Sequence, residues 1–171
     1  MKIDPALHRD FLGPVEATLG VLEDVYPQAR LASVRLFERP GDRSLAHVEG
    51  HSIVLNAYWF AEPSRKLAAA ALAGRQSLPY GMPLWHGGMS DEEGTHLLTH
   101  EFGHLVAAGT EGSVVFAKAA HAAVVADPVL AVSGYAIVDP DEWWGETFAA
   151  LRLGAAASPQ VAEMEAFLGQ T

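Results

Sequence analysis

Apolar residues Leu7, Phe11, Leu12, Val15, Leu19, Leu22 and Val25 recur at roughly helical spacing, so the first 26 residues predict a helix. Gly13-Pro14 is expected to break or restart it, and Pro27 to end it. The period then changes. Leu31 to Glu38 alternates moderately, Arg39-Pro40-Gly41-Asp42 is a turn signal, and Leu45 to Glu49 and His51 to Ala57 predict two more strands. Pro63 to Ala73 is an alanine-rich helical run with Pro63 suited to its first turn, and Gly74 to Met89 reads as a loop. Beyond it the pattern is helical. Ser90 or Asp91 can cap a helix that runs through Leu105 to about Ala108 and closes at Gly109. Glu111 to Ala126 predicts a second helix, stopped by Asp127-Pro128. A loop through Asp139-Pro140 leads to a third from about Asp141 to Leu153, and Ser158-Pro159 opens a last one to Leu168. Strands first and helices afterwards predict an α+β fold, a single domain over residues 1–171.

Composition narrows the function. Half of the 171 residues are hydrophobic, enough for one sizeable core. The formal charge of −10, with no compact Lys/Arg stripe, argues against nucleic acid as a partner. There is no cysteine, so any metal must be held by histidine and carboxylate. Met1-Lys2-Ile3-Asp4-Pro5 shows no signal peptide, and the longest apolar run, Val114 to Ala126, is broken by Lys118 and His121. The expectation is no membrane insertion, and a protein that is cytoplasmic or exported without a cleavable signal.

The chemistry concentrates in His100-Glu101-Phe102-Gly103-His104. On a helix, residues four apart share a face about 6 Å from each other, so two imidazoles can converge on one ion. Glu101 sits where its carboxylate can reach a water beside that ion, and Phe102 points toward the core. Gly103 costs roughly 1 kcal/mol of helix propensity against alanine, which suggests a close approach to the backbone there. Composition alone produces such a motif in roughly 3% of chains like this one, so it needs its context. A catalytic zinc site also needs a third protein ligand. The extended HExxHxxGxxH form fails, because Ala107 and Thr110 occupy its last two fixed positions. The best source is Asp141-Glu142-Trp143-Trp144-Gly145-Glu146-Thr147-Phe148, where Glu142 and Glu146 share a helical face. One carboxylate could bind the ion while the other orients a ligand histidine. An exposed acidic face is the ordinary alternative.

These residues resemble a known family. His-Glu-Phe-Gly-His, then Tyr135, then Glu142 seven residues later in Glu-Trp-Trp-Gly-Glu-Thr-Phe, is similar to the metallopeptidase domain of anthrax lethal factor, a domain type shared by the clostridial pro-pro endopeptidases. The likeness covers roughly Trp85 to Leu153. It implies a zincin-like fold and a zinc-dependent endopeptidase acting on a peptide or protein substrate. It further implies that His100, His104 and Glu142 bind Zn2+, that Glu101 is the general base, that Glu146 is a carboxylate supporting a ligand, and that Tyr135 donates to the oxyanion. Gly145 stands where the family usually has alanine, which reads as a mild departure. The rival expectation is a non-catalytic module that keeps the fold and binds without turnover.

The remaining histidines carry weaker expectations. His47 and His51, about 13 Å apart on a strand, read as rim or surface residues. His96, one turn before His100 on the same face, is expected to be solvated or capping, with a place bordering the active site as the alternative. His86 could line a cleft mouth, and His121 is expected to carry no chemistry. The strand His51 to Ala57 is a plausible edge for an added peptide strand, with a core strand as the ordinary alternative.

Overall fold

A computed structural model describes residues 1–7, 9–39, 41, 44–60, 93–154 and 158–170. The helix Pro63 to Ala73, the loop Gly74 to Met89 with Trp85 and His86, and the capping residues Ser90 and Asp91 lie outside them. The described chain is mixed α and β. Four short strands form one sheet in the order β1-β2-β4-β3, with β1 at Lys2–Ile3, β2 at Ser33–Phe37, β3 at Ala46–Glu49 and β4 at Ser52–Asn56. The helices are α1 (Arg9–Val25), a single turn α2 (Ala57–Phe60), α3 (Glu93–Gly109), α4 (Ser113–Ala126), α5 (Pro140–Arg152) and α6 (Pro159–Leu168). Among the described residues no helix is long and apolar enough to cross a membrane.

The first 26 residues are not all helical. Lys2–Ile3 pairs parallel with Ser33–Val34, a contact that a two-residue strand cannot announce by alternation. The helix α1 then runs unbroken through Gly13-Pro14. Proline there has no N–H to donate to the carbonyl of Asp10, while Phe11, Val15, Leu19 and Leu22 are buried along the inner face. Burying side chains of that size is worth about 1.5–3 kcal/mol each, enough to carry the helix through one lost bond.

The sheet decides between the core strand and the edge expected for His51 to Ala57. Strand β4 pairs parallel with β2 on one side and antiparallel with β3 on the other, so it is interior, and Ile53 and Leu55 on it are fully buried. Among the described residues β3 is the outer strand on that side of the sheet, and β1 the outer strand on the other. A two-residue hairpin, Gly50-His51, joins β3 to β4, with Gly50 at φ 60°, as such turns require at their first position.

Against the sheet and α1 lies the long helix α3, which in turn packs on α5. Phe102, Leu105 and Val106 of α3 meet Trp143, Trp144 and Phe148 of α5 in one continuous core. The Gly103 position is tight: a Cβ there would lie 3.1 Å from the Phe148 side chain. The Trp144 indole N–H donates to the Gly103 carbonyl at 2.8 Å, tying the two helices together beside the histidines. Trp143 donates to Gln160 Oε1 at 2.9 Å and so fastens α6 to the other side of α5.

Candidate metal centre

The helix α5 starts at a well-formed cap. Asp139 Oδ1 accepts from the backbone N–H of Asp141 and Glu142 at 2.8 and 2.9 Å, and Pro140 occupies the first turn. This places Glu142 in the first turn of α5 and Glu146 one turn further on, both facing α3. His100 lies between them. Its Nδ1 is 2.9 Å from Glu146 Oε1, and its Nε2 is 3.0 Å from Glu142 Oε2. The His104 Nε2 lies 3.1 Å from His100 Nε2.

An ionised carboxylate only accepts, so the contact with Glu146 assigns the His100 proton to Nδ1. In the neutral ring, Nε2 then presents a lone pair toward His104 and Glu142. Glu142 Oε2 is buried and makes no hydrogen bond. Two imidazole nitrogens and a carboxylate oxygen thus crowd one point, and with His100 neutral no N–H lies between its Nε2 and Glu142. Tetrahedral zinc with bonds near ~2.0–2.1 Å spaces its ligands about 3.3 Å apart, close to the separations seen. The donor set fits the ion.

His96, His100 and Glu146 form a second group whose ligand atoms, on distance alone, could also hold an ion. Its geometry is that of hydrogen bonding. His96 Nε2 and His100 Nδ1 lie 3.0 and 2.9 Å from the same oxygen, Glu146 Oε1, so two N–H donors satisfy this acceptor without a cation.

Charge follows the contacts. Burial alone would lower the pKa of His100, yet the carboxylates of Glu142 and Glu146 raise it from 6.5 to about 10. The charged ring can then donate from Nε2 to Glu142 as well as from Nδ1 to Glu146. Burial, reinforced by the charge on His100, lowers His104 to about 4. Burial raises Glu101 to about 7 against the pull of His100. Burial pushes Glu142 and Glu146 upward, but the rings beside them win: Glu142 falls below its usual value through His100, and Glu146 falls well below through His96 and His100.

The structure brings together all six residues singled out from the sequence. Glu101 is buried beside the centre, and its Oε2 has no hydrogen-bond partner among the described residues. Tyr135, in a short 3-10 turn Tyr135–Ile137, donates its hydroxyl to Glu142 Oε1 at 3.0 Å. That bond orients the carboxylate so that its other oxygen faces the histidines. Burial and Glu142 push the Tyr135 pKa upward, keeping it a donor. To serve an oxyanion, the hydroxyl must leave or share this bond.

A cleft of about 440 Å³ opens on this arrangement, bounded by Ala46, His47 and Val48 of β3 and by Glu101, His104 and Glu142. A second cavity of about 260 Å³ adjoins it and reaches His100 and Tyr135. His47 is the rim residue anticipated, its ring against Phe37, while His51 lies at a separate cavity with Gln28 and Arg30.

Three roles were not foreseen. His96 is not solvated: it is 2% exposed and bonded to Glu146. Its signal was the repeat His96, His100, His104, one turn apart on a single face. His121 lies at hydrogen-bond distance from the Ile137 carbonyl, 3.0 Å, bracing the turn that carries Tyr135. Gly145 is no mild departure. A Cβ there would lie 2.6 Å from both Cε1 and Nε2 of His100, so the ring rests directly on the α5 backbone.

Comparison of the chain with protein-family models, curated proteins and solved structures finds no match.

Proposed function

We propose that this protein is a zinc-dependent endopeptidase with a zincin-like fold, in which His100, His104 and Glu142 hold the ion. One observation carries the proposal: two imidazole nitrogens and a carboxylate oxygen converge at the wall of an open cleft. A donor set of two nitrogens and one oxygen with access for a substrate is that of catalytic zinc. The likeness of the HExxH, Tyr135 and Glu142 pattern to lethal-factor-type metallopeptidases supports the same reading.

When bound, zinc supplies Lewis acidity and an acidified water. The chain's own residues do the rest. Glu101, buried at the cleft with a free oxygen, takes the proton from the attacking water and returns it to the leaving amine. Tyr135 moves its hydroxyl from Glu142 to the developing oxyanion. Glu146 holds the His100 ring through Nδ1. Among the described residues β3 has a neighbour on one side only, so an extended peptide can pair with its free side and cross the cleft.

The test is Glu101→Gln. It should keep one zinc per chain and lose peptide hydrolysis by at least ~10²-fold. An active E101Q protein refutes the role given to Glu101. A parent protein that binds zinc stoichiometrically but cleaves nothing in a peptide library would instead be a binding module.

A further inference from the structure

The helix α3 carries three histidines one turn apart, and only two of them face the ion's position. The first, His96, is buried, and its Nε2 lies 3.0 Å from Glu146 Oε1. The same oxygen lies 2.9 Å from His100 Nδ1. Glu146 itself is fully buried on the neighbouring helix α5. One carboxylate oxygen thus bridges two rings, one of them the proposed ligand.

A carboxylate at the end of a glutamate side chain turns easily about its last torsion. A second N–H from the preceding turn of α3 fixes the direction of the oxygen. The arrangement also settles protons. A carboxylate oxygen accepts, so its contacts with the two rings are filled by hydrogen on His96 Nε2 and on His100 Nδ1. That tautomer of His100 is the one whose Nε2 lone pair faces His104 and Glu142.

We propose that His96 is a positioning residue of the metal centre: it anchors the Glu146 carboxylate, which in turn aims His100 at the ion. This role presupposes that His100 is a zinc ligand. The opposing arrangement, a second ion among His96, His100 and Glu146, would need His100 to give both of its nitrogens to metals and both histidines to shed the protons that Glu146 now accepts.

The test compares His96→Leu, which removes the donor at similar volume, with His96→Gln, whose side-chain amide can still donate to Glu146. Zinc affinity is measured by chelator competition, ions per chain by elemental analysis, and ligand geometry by the visible spectrum of the cobalt-loaded protein. H96L should bind zinc at least about tenfold more weakly with an altered cobalt spectrum, and H96Q should return to within about threefold of the parent. Should H96L not fold, His96→Asn, whose amide is too short to reach Glu146, replaces it. A donor-less variant with the parent's affinity and spectrum overturns the proposal, as do two ions per parent chain. If the parent binds neither zinc nor cobalt, the zinc assignment fails on its own. The anchoring of Glu146 is then read in the metal-free protein from the NMR signal of the His100 Nδ1 proton. Its loss in H96L and return in H96Q sustain the anchor; an unchanged signal in all three proteins overturns it.

Discussion

Gly145→Ala adds one methyl group in a helix, a change that elsewhere raises helix propensity by about 1 kcal/mol. Here the new carbon would lie 2.6 Å from His100 Nε2 and Cε1 and 2.9 Å from Cδ2. Carbon atoms at rest sit about 3.5–4.0 Å apart, so the ring must retreat by roughly 1 Å or the two helices must part. Retreat is opposed at Nδ1 by the 2.9 Å contact with Glu146, and parting is opposed by the Trp144 bond to the Gly103 carbonyl. Overpacking of this kind costs about 1–3 kcal/mol, which cancels or exceeds the gain in propensity. In the proposed site the larger effect falls on metal binding. Ligand positions tolerate about 0.2 Å, so a ring displaced several times that far should bind zinc at least about tenfold more weakly. Chelator competition on G145A and on the parent measures it. Gly20→Ala is the control, since a Cβ at Gly20 in α1 meets nothing within 4 Å. It should leave zinc affinity alone and raise stability by up to about 1 kcal/mol. A G145A protein with the parent's zinc affinity would show that His100 does not need the bare backbone beneath it.

Stability of the metal-free protein should fall as pH rises above neutrality. The folded-state pKa of His100, about 10, lies above its ordinary 6.5, so the charged ring stabilises the fold fully below 6.5 and the effect is lost as pH climbs toward 10. Glu101, raised from 4.5 to about 7, acts with the same sign over a lower window. Zinc held as proposed would replace the proton on His100 Nε2, so the gap in melting temperature between zinc-loaded and chelated protein should widen with pH; a gap that narrows over that range contradicts the assignment. Asp139→Ala removes the acceptor of the Asp141 and Glu142 N–H groups and should cost about 1 kcal/mol by urea denaturation, along with some zinc affinity because Glu142 sits in that first turn. Asp139→Asn, which keeps a cap oxygen, should lose less, and a D139A protein as stable as the parent would rule out the cap's contribution.

Much of this was legible in the chain itself. The spacing of His100 and His104 needs only one helix, and the boundaries of α3, α4 and α5 follow from local signals such as Gly109, Asp127-Pro128 and Asp139-Pro140. Helical periodicity and motif spacing, which are short-range, pointed to His100, Glu101, His104 and the Glu142/Glu146 face, while Tyr135 was named through the family resemblance. Decisions made across the fold were not legible. The outer position of β3 depends on which strand β2 chose as partner, and β4, equally apolar in pattern, took the interior place. His96 looked like a surface residue because its partner Glu146 lies 50 positions away on another helix. Gly145 looked incidental because the ring that needs its missing side chain comes from α3. Sequence patterning sets which face of each element is apolar and where each element ends. Only the packing of α3 on α5 determines which polar groups meet on the inside, because a buried hydrogen bond or a close backbone approach has no periodic signature in either strand of chain that makes it.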